Sequence, residues 1–282
     1  MLQNVKLQNV MLQMNLDVNL IEYPEFSAIG KGEESPFIYD SEKKCHVVEK
    51  LTKVNFMSYY NCIQVKRWSE YTGVKNFKLH LTMKGKATIS VYAIYSASVA
   101  VTYNPLVSQV VESDEVSEVV VNIPETDKAL VGFYMDTLED TEIYSGYYSA
   151  DIEEDRIRDV NISLVTTTFK KQEYIKRNID LIKSNVLYDG SDIKGHMFVH
   201  VIDNDRELDP SELDSEDLKV YMNNNVGGAG GFTRGMIEAL ELPKKPTHVL
   251  LMDDDVMVMP ESLFRTYYLL RLLKDEYKKC FL

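Results

Sequence analysis

The feature that most constrains this chain is a change of rhythm at the acidic, turn-like stretch Asp151–Asp159. Before it, apolar and polar residues alternate with period two, as half-buried strands require. Phe77-Lys78-Leu79-His80-Leu81-Thr82-Met83 is one such run and Ala87-Thr88-Ile89-Ser90-Val91-Tyr92-Ala93 another, with Lys84-Gly85-Lys86 as the turn between them. Further short runs follow at Ala97–Tyr103, Val116–Ile123, Leu130–Met135 and Ile143–Ala150, several of them divided by turn signals such as Asn104-Pro105. Short strands at this spacing imply an antiparallel sandwich or barrel.

After the boundary, strands alternate with helices. Asn161–Thr168, His196–Ile202 and Thr247–Met252 read as strands, the last buried on both faces by its composition. Gln172–Ser184, Gly228–Leu242 and Pro260–Tyr277 read as helices, the last with its proline in the first turn. That alternation implies a parallel sheet with right-handed crossovers. Only three parallel strands are laid down before Leu282, where such sheets usually have about five or more. The expectation is therefore the N-terminal part of a longer protein, with uncovered strand edges that leave self-association open.

Composition narrows the function classes. The 282 residues suggest about two domains. With 31 Lys and Arg against 44 Asp and Glu, the net charge of −13 disfavours a nucleic-acid backbone as partner. No apolar run approaches the roughly 20 residues of a membrane helix, and Met1–Asn15 lacks the apolar centre of a signal peptide. Cys45, Cys62 and Cys280 are scattered and read as free thiols in a reducing compartment. A cytoplasmic protein is implied, either free or peripheral at the inner face of the membrane. The short repeat Leu2-Gln3-Asn4-Val5 and Leu7-Gln8-Asn9-Val10 fits no heptad or solenoid period and reads as a strand-like arm.

The sharpest chemical signal is Asp253-Asp254-Asp255, directly after an apolar strand. Ligands of open α/β sheets bind beyond the carboxyl ends of strands. If the extended backbone continues, Asp253 and Asp255 project to one side and offer hard oxygen ligands for Mn²⁺ or Mg²⁺, completed by water and substrate phosphates. A second signal is Asn225-Val226-Gly227-Gly228-Ala229-Gly230-Gly231-Phe232, whose glycines let backbone approach an anion at a helix start. It is neither a dinucleotide fingerprint, since Thr233 stands where the last glycine belongs, nor a Walker loop, since Met236 replaces the lysine. Asp203 ends a strand, where a carboxylate can hold ribose hydroxyls. The acidic run after it fails as an EF-hand, with Leu208 at the glycine position. His196 and His200 are spaced H-x-x-x-H, but on a strand they lie roughly 13 Å apart, too far to share a zinc. Trp68 reads as a packed aromatic, with a sugar-stacking platform as the alternative.

These pieces have a fixed order: Thr167-Thr168-Phe169-Lys170-Lys171 after one strand, Asp203-Asn204 after the next, then the glycine loop and the triple aspartate. The order resembles glycosyltransferase family 2, with its nucleotide-sugar-binding GT-A fold and D-x-D metal motif. Asn55–Asn61 and Arg67-Trp68-Ser69 are similar to the sandwich domain of the family 2 galactofuranosyltransferases that polymerise cell-wall galactan. The resemblance implies an N-terminal antiparallel β-sandwich at 1–155 followed by a truncated GT-A nucleotide-binding α/β domain at 156–282. It implies inverting transfer of galactofuranose from a UDP-sugar donor to a glycan or lipid-linked glycan acceptor, with manganese or magnesium held by Asp253 and Asp255. Thr168, Phe169, Lys171, Asp203, Asn225, Gly227, Gly228 and Asp254 would then bind the nucleotide sugar. Lys171 stands where the family favours Arg, and the catalytic base is expected beyond Leu282. The rivals are another family 2 enzyme, such as a rhamnosyltransferase, and a non-catalytic carbohydrate-binding fragment.

Overall fold

The computed structural model describes residues 1–12, 28–29, 37–58, 60–97 and 100–278. The chain divides into two compact units, one of Met1–Ile157 together with the chain from Leu272 on, the other of Arg158–Arg271. Cys280 lies outside the described residues.

The first unit is mainly antiparallel. Its strands are β1 (Leu2–Asn9), β2 (Ala28–Ile29), β3 (Phe37–Asp40), β4 (Cys45–Val48), β5 (Lys53–Asn55), β6 (Lys75–Ala97), β7 (Ala100–Asn122), β8 (Leu130–Thr137) and β9 (Thr141–Glu153), with helix α1 at Val65–Thr72. All nine strands belong to one sheet, in the order β2-β5-β8-β6-β9-β4-β3, with β1 also on β9 and β7 also on β6. The expected sandwich is thus a single curled sheet. β6 explains the curl. One of its edges pairs with β7, while the other is shared, Lys75–Lys84 pairing with β9 and Ala87–Ile94 with β8. The two branches turn their inner faces together, so Phe133 of β8 lies 6.4 Å from Tyr148 of β9 and stacks on Phe56 at 4.6 Å. Leu79, Leu81, Met83, Ile89 and Val91 of β6 are fully or almost fully buried, the period-two face read from the sequence.

Two turns expected from the sequence are absent. Lys84-Gly85-Lys86 is not a hairpin turn but an irregularity inside β6, where the register with β7 shifts between Met83 and Gly85. Gly85 has φ +113°, and a Cβ there would stand 2.7 Å from the Asp140 carbonyl. Asn104-Pro105 lies inside β7, where a second register shift sets Pro105 opposite Tyr92. β7 pairs only with β6, so the missing proline N–H leaves no ladder partner on the outer edge. The Leu-Gln-Asn-Val repeat forms β1. Trp68 is buried in α1, and Cys45 and Cys62 are buried free thiols.

The second unit is a parallel α/β sheet. It contains β10 (Ile162–Thr168), α2 (Gln172–Asn185), β11 (Met197–Asp203), α3 (Pro210–Leu213), β12 (Leu218–Met222), α4 (Gly227–Glu241), β13 (His248–Asp253) and α5 (Pro260–Leu272). The order is β12-β11-β10-β13, all parallel. There are four strands rather than three, because Leu218–Met222 is short and follows an acidic loop. β13 is also not buried on both faces. It is an edge strand, with Val249 40% and Leu251 51% exposed. α4 lies on the sheet through Gly231, Gly235 and Ala239, one small residue per turn. A Cβ on Gly231 would collide with the Thr167 hydroxyl and one on Gly235 with the Val165 side chain. Under the sheet's cover, His200 is 1% exposed, and neither ring nitrogen has a partner. Burial lowers its pKa from 6.5 to about 4, against a weaker opposing pull from Glu238.

Gly235→Ala is expected to lower stability by about 1–3 kcal/mol, since the added methyl must lift α4 from β10. Urea unfolding of the whole chain reads this as a lower midpoint. His200 carries a pH signature of known sign. An imidazole with a depressed folded pKa stays neutral while the unfolded chain takes up a proton, so stability falls as pH drops from about 6.5 toward 4. The loss from this residue is on the order of 3 kcal/mol. Unfolding midpoints of His200→Leu should be flatter over that window than those of the wild type.

Candidate functional site

The carboxyl ends of β10, β11 and β13 lie side by side, because Thr168 pairs with Asp203 and Thr167 with Asp253. Three polar residues tie the strand ends together. The Asn204 amide donates to the Thr167 hydroxyl at 3.1 Å and accepts from the Asn223 amide at 2.9 Å. The Asn223 N–H donates to the Asp203 carbonyl. Loops leaving this edge therefore start from fixed points.

Asp203 is fully buried, and its carboxylate oxygens accept from the backbone N–H groups of Asp205, Arg206 and Leu208 at 3.1, 3.1 and 2.8 Å. Burial alone would raise its pKa, but a hydrogen bond shared with the Asp205 carboxyl, together with these backbone donors, outweighs that and holds it below the usual carboxylate range. The sequence assigns Asp203 to ribose, yet here its oxygens are already engaged in folding the loop. Asp205 is the more outward carboxylate, with burial and the neighbouring Asp203 raising its pKa. It accepts from the Lys170 N–H and the Gln172 amide, both at 2.8 Å. The Thr168 hydroxyl is buried at the end of β10 without a partner. Phe169 is 42% exposed beside it.

The acidic triplet departs from the expected alternation. β13 ends at Asp253 and the backbone turns, so Asp253 and Asp255 are not set on one side by strand geometry. Asp254 and Asp255 instead converge on Lys171, whose ammonium stands 3.5 Å from one and 2.6 Å from the other. The hydrogen bond and charge of Lys171 hold the Asp255 pKa below its ordinary value. Asn178 fixes this turn from below, its side-chain amide donating to the carbonyls of Asp254 and Val256 at 3.2 and 2.8 Å. Among the described residues, no group of three or more His, Cys, Asp or Glu is arranged to hold a metal. The triplet nonetheless fits a divalent cation in kind. Its carboxylates are hard oxygen donors, Asp253 and Asp255 are exposed, and a cationic group already rests on Asp255.

The glycine loop divides by function. A Cβ at Gly227 or Gly228 would meet nothing within 4 Å, whereas the glycines further on pack α4 against its surroundings. Asn225 is exposed and accepts from the Gly227 N–H at 3.2 Å, and Val226 provides no side-chain cap. Asn225 thus caps the first N–H of α4, that of Gly227, while Val226 caps none and the backbone at Gly227 and Gly228 borders open space, where an anion could approach the helix start. The sequence singles out neither Gln172 nor Asn178, and Asp205 only as a member of the acidic run that fails as an EF-hand. Asn178 did leave a signal, being a polar residue in the Ile175, Ile179, Ile182 stripe of α2.

Comparison with known proteins bears on both units. Residues 31–151 match the family model Galactofuranosyltransferase 2 N-terminal. Galactofuranosyltransferase GlfT2 of Mycolicibacterium smegmatis is 23% identical over 236 residues, covering 79% of this chain and 35% of that protein. GlfT2 of Mycobacterium tuberculosis is 25% identical over 232 residues, covering 79% and 36%. The chain thus spans about a third of the length of these relatives. It is related to glycosyltransferases, and its first unit carries a domain like the GlfT2 N-terminal domain. Among solved structures, the carbohydrate-binding module CsCBM6-3 of Clostridium stercorarium, in complex with cellobiose, aligns at TM-score 0.28 and 13% identity over 52% of this chain and 92% of its own. The module CBM29-2 aligns at 0.30 and 9%, over 54% and 86%. Among the described residues, no helix is long and apolar enough to cross a membrane.

Asp203→Asn replaces one accepting oxygen with a donor that faces backbone N–H groups. It should cost about 3 kcal/mol and loosen the Asp205–Leu208 loop. Hydrogen exchange at Leu208, together with urea unfolding, measures both effects.

Proposed function

We propose that the second unit is the first part of a GT-A nucleotide-sugar domain, and that the protein serves inverting transfer of galactofuranose from UDP-galactofuranose to a glycan acceptor. The observation that carries this reading is the gathering of Thr168, the Asp203 loop, the open glycines Gly227 and Gly228, and the triple aspartate at one carboxyl edge of a parallel sheet. The relationship to galactofuranosyltransferases supports the donor sugar.

In this reading Phe169 offers a ring for the uracil and Thr168 a hydroxyl beside it. Asp203 shapes the loop that presents Asp205 toward the ribose. Asn225 and the N–H groups of Gly227 and Gly228 receive the phosphates at the start of α4. Asp253 and Asp255 would hold Mn²⁺ or Mg²⁺, which would supply charge neutralisation to the donor's diphosphate. Lys171 leaves Asp255 for a phosphate oxygen when the nucleotide enters, and Asp254 keeps the turn in place. The proton of the acceptor hydroxyl goes to a base that the family resemblance places downstream of the triplet.

Calorimetric titration of UDP in MnCl₂ tests the reading. Wild type should bind only with metal, EDTA should abolish the signal, and Asp255→Asn should weaken it at least about tenfold. Equal metal-dependent affinity in the variant would sink the assignment.

A further inference from the structure

The first unit contains a cleft that the nucleotide reading does not use. It arises from the sheet itself. Along its outer edge β9 pairs with β4 over Thr141–Ile143 and with β1 from Tyr147 onward, so Tyr144 and Ser145 face a gap between two neighbours. Beyond the gap, the Val10 N–H donates to the Gly146 carbonyl at 2.8 Å and closes one end. The opening has a volume of about 370 Å³, inside the roughly 300–1,000 Å³ range of small-molecule sites.

Its lining is specific in kind. Tyr39, 45% exposed, and His46 stand on one wall as a cross-strand pair, their rings 5.1 Å apart. Phe37 stacks on His46 at 4.7 Å. Tyr144 forms another part of the wall, its hydroxyl anchored by donating to Glu142 at 2.8 Å. Ser145 adds a hydroxyl oxygen, whose hydrogen is donated to the Thr82 hydroxyl at 3.1 Å, so that it faces the cleft as an acceptor. Lys44 stands on the rim at φ +54°, a left-handed conformation that is uncommon outside glycine, and its ammonium has no ion-pair partner among the described residues. No Asp or Glu lines the cleft, which excludes a cation site.

Aromatic rings beside an ammonium donor and a hydroxyl acceptor match a ligand with apolar C–H faces and many hydroxyls. We propose that this cleft binds a short, uncharged oligosaccharide, one sugar ring stacking on Tyr39 with its hydroxyls accepting from Lys44 and donating to the Ser145 oxygen. The site would hold a glycan while chemistry occurs elsewhere, and the assignment stands independently of the nucleotide reading.

The test is calorimetric titration of the whole chain with a galactofuranosyl tetrasaccharide, cellotetraose and maltotetraose, in EDTA and without nucleotide, so that the metal-dependent site is silent. At least one should bind saturably. Tyr39→Ala should weaken it about tenfold while Tyr39→Phe keeps it, because the ring and not the hydroxyl carries the contact. Lys44→Gln, at an exposed position, should weaken it about threefold and serves as the second variant if Tyr39→Ala fails to fold. No saturable binding of any of the three, or wild-type affinity in both Tyr39→Ala and Lys44→Gln, would overturn the proposal.

Discussion

One backbone ladder organises the first unit. β6 is 23 residues long, and its two edges are used unequally, one by a single partner and the other by two. A strand whose far edge is divided cannot keep its neighbours in one plane, so β8 and β9 bend apart and their inner faces meet. The core of Phe56, Phe133 and Tyr148 is a result of that division. The outer edge of β9 repeats the theme on a smaller scale, changing partner from β4 to β1 and leaving the gap that becomes a cleft. Concavity in this unit comes from hydrogen-bond bookkeeping rather than from loops.

The second unit achieves its functional edge differently. Parallel strands in register bring Thr168, Asp203 and Asp253 to one line, and buried polar side chains then fix what leaves that line. Asp203 spends its charge on backbone N–H groups, and Asn178 spends its amide on carbonyls. These residues act by holding other residues. The groups left facing outward, Asp255 and the open glycines, stand on the frame they hold.

Local pattern was legible in the sequence, and partner choice was not. Period two identified the inward face of β6 because burial alternates whatever a strand pairs with. The same pattern could not show that Gly85 continues the strand, since a glycine suits a turn and a bulge equally and only the approach of Asp140 decides between them. The apolar composition of Thr247–Met252 suggested two buried faces, but the sheet order leaves β13 at an edge. β12 escaped notice because five residues behind an acidic loop carry too little periodicity. At the candidate site, the motifs come together at the carboxyl ends of β10, β11 and β13. They could not show which carboxylates face outward, because that depends on the turn after Asp253 and on the amides that claim Asp203.

Two of the edge strands, β7 and β13, differ in what they offer an incoming strand. β7 carries Glu112, Asp114, Glu115 and Glu118 together with Pro105 and two irregularities, features that repel or misfit an incoming strand. β13 carries no charge between His248 and Asp253, and it leaves Val249 and Leu251 open. β7 also leaves Val110 and Val116 open, but charges and irregularities interrupt it, whereas the six-residue β13 has no such interruption along its apolar run. The adhesiveness of a strand edge follows from whether gatekeeper residues interrupt it, not from its length alone.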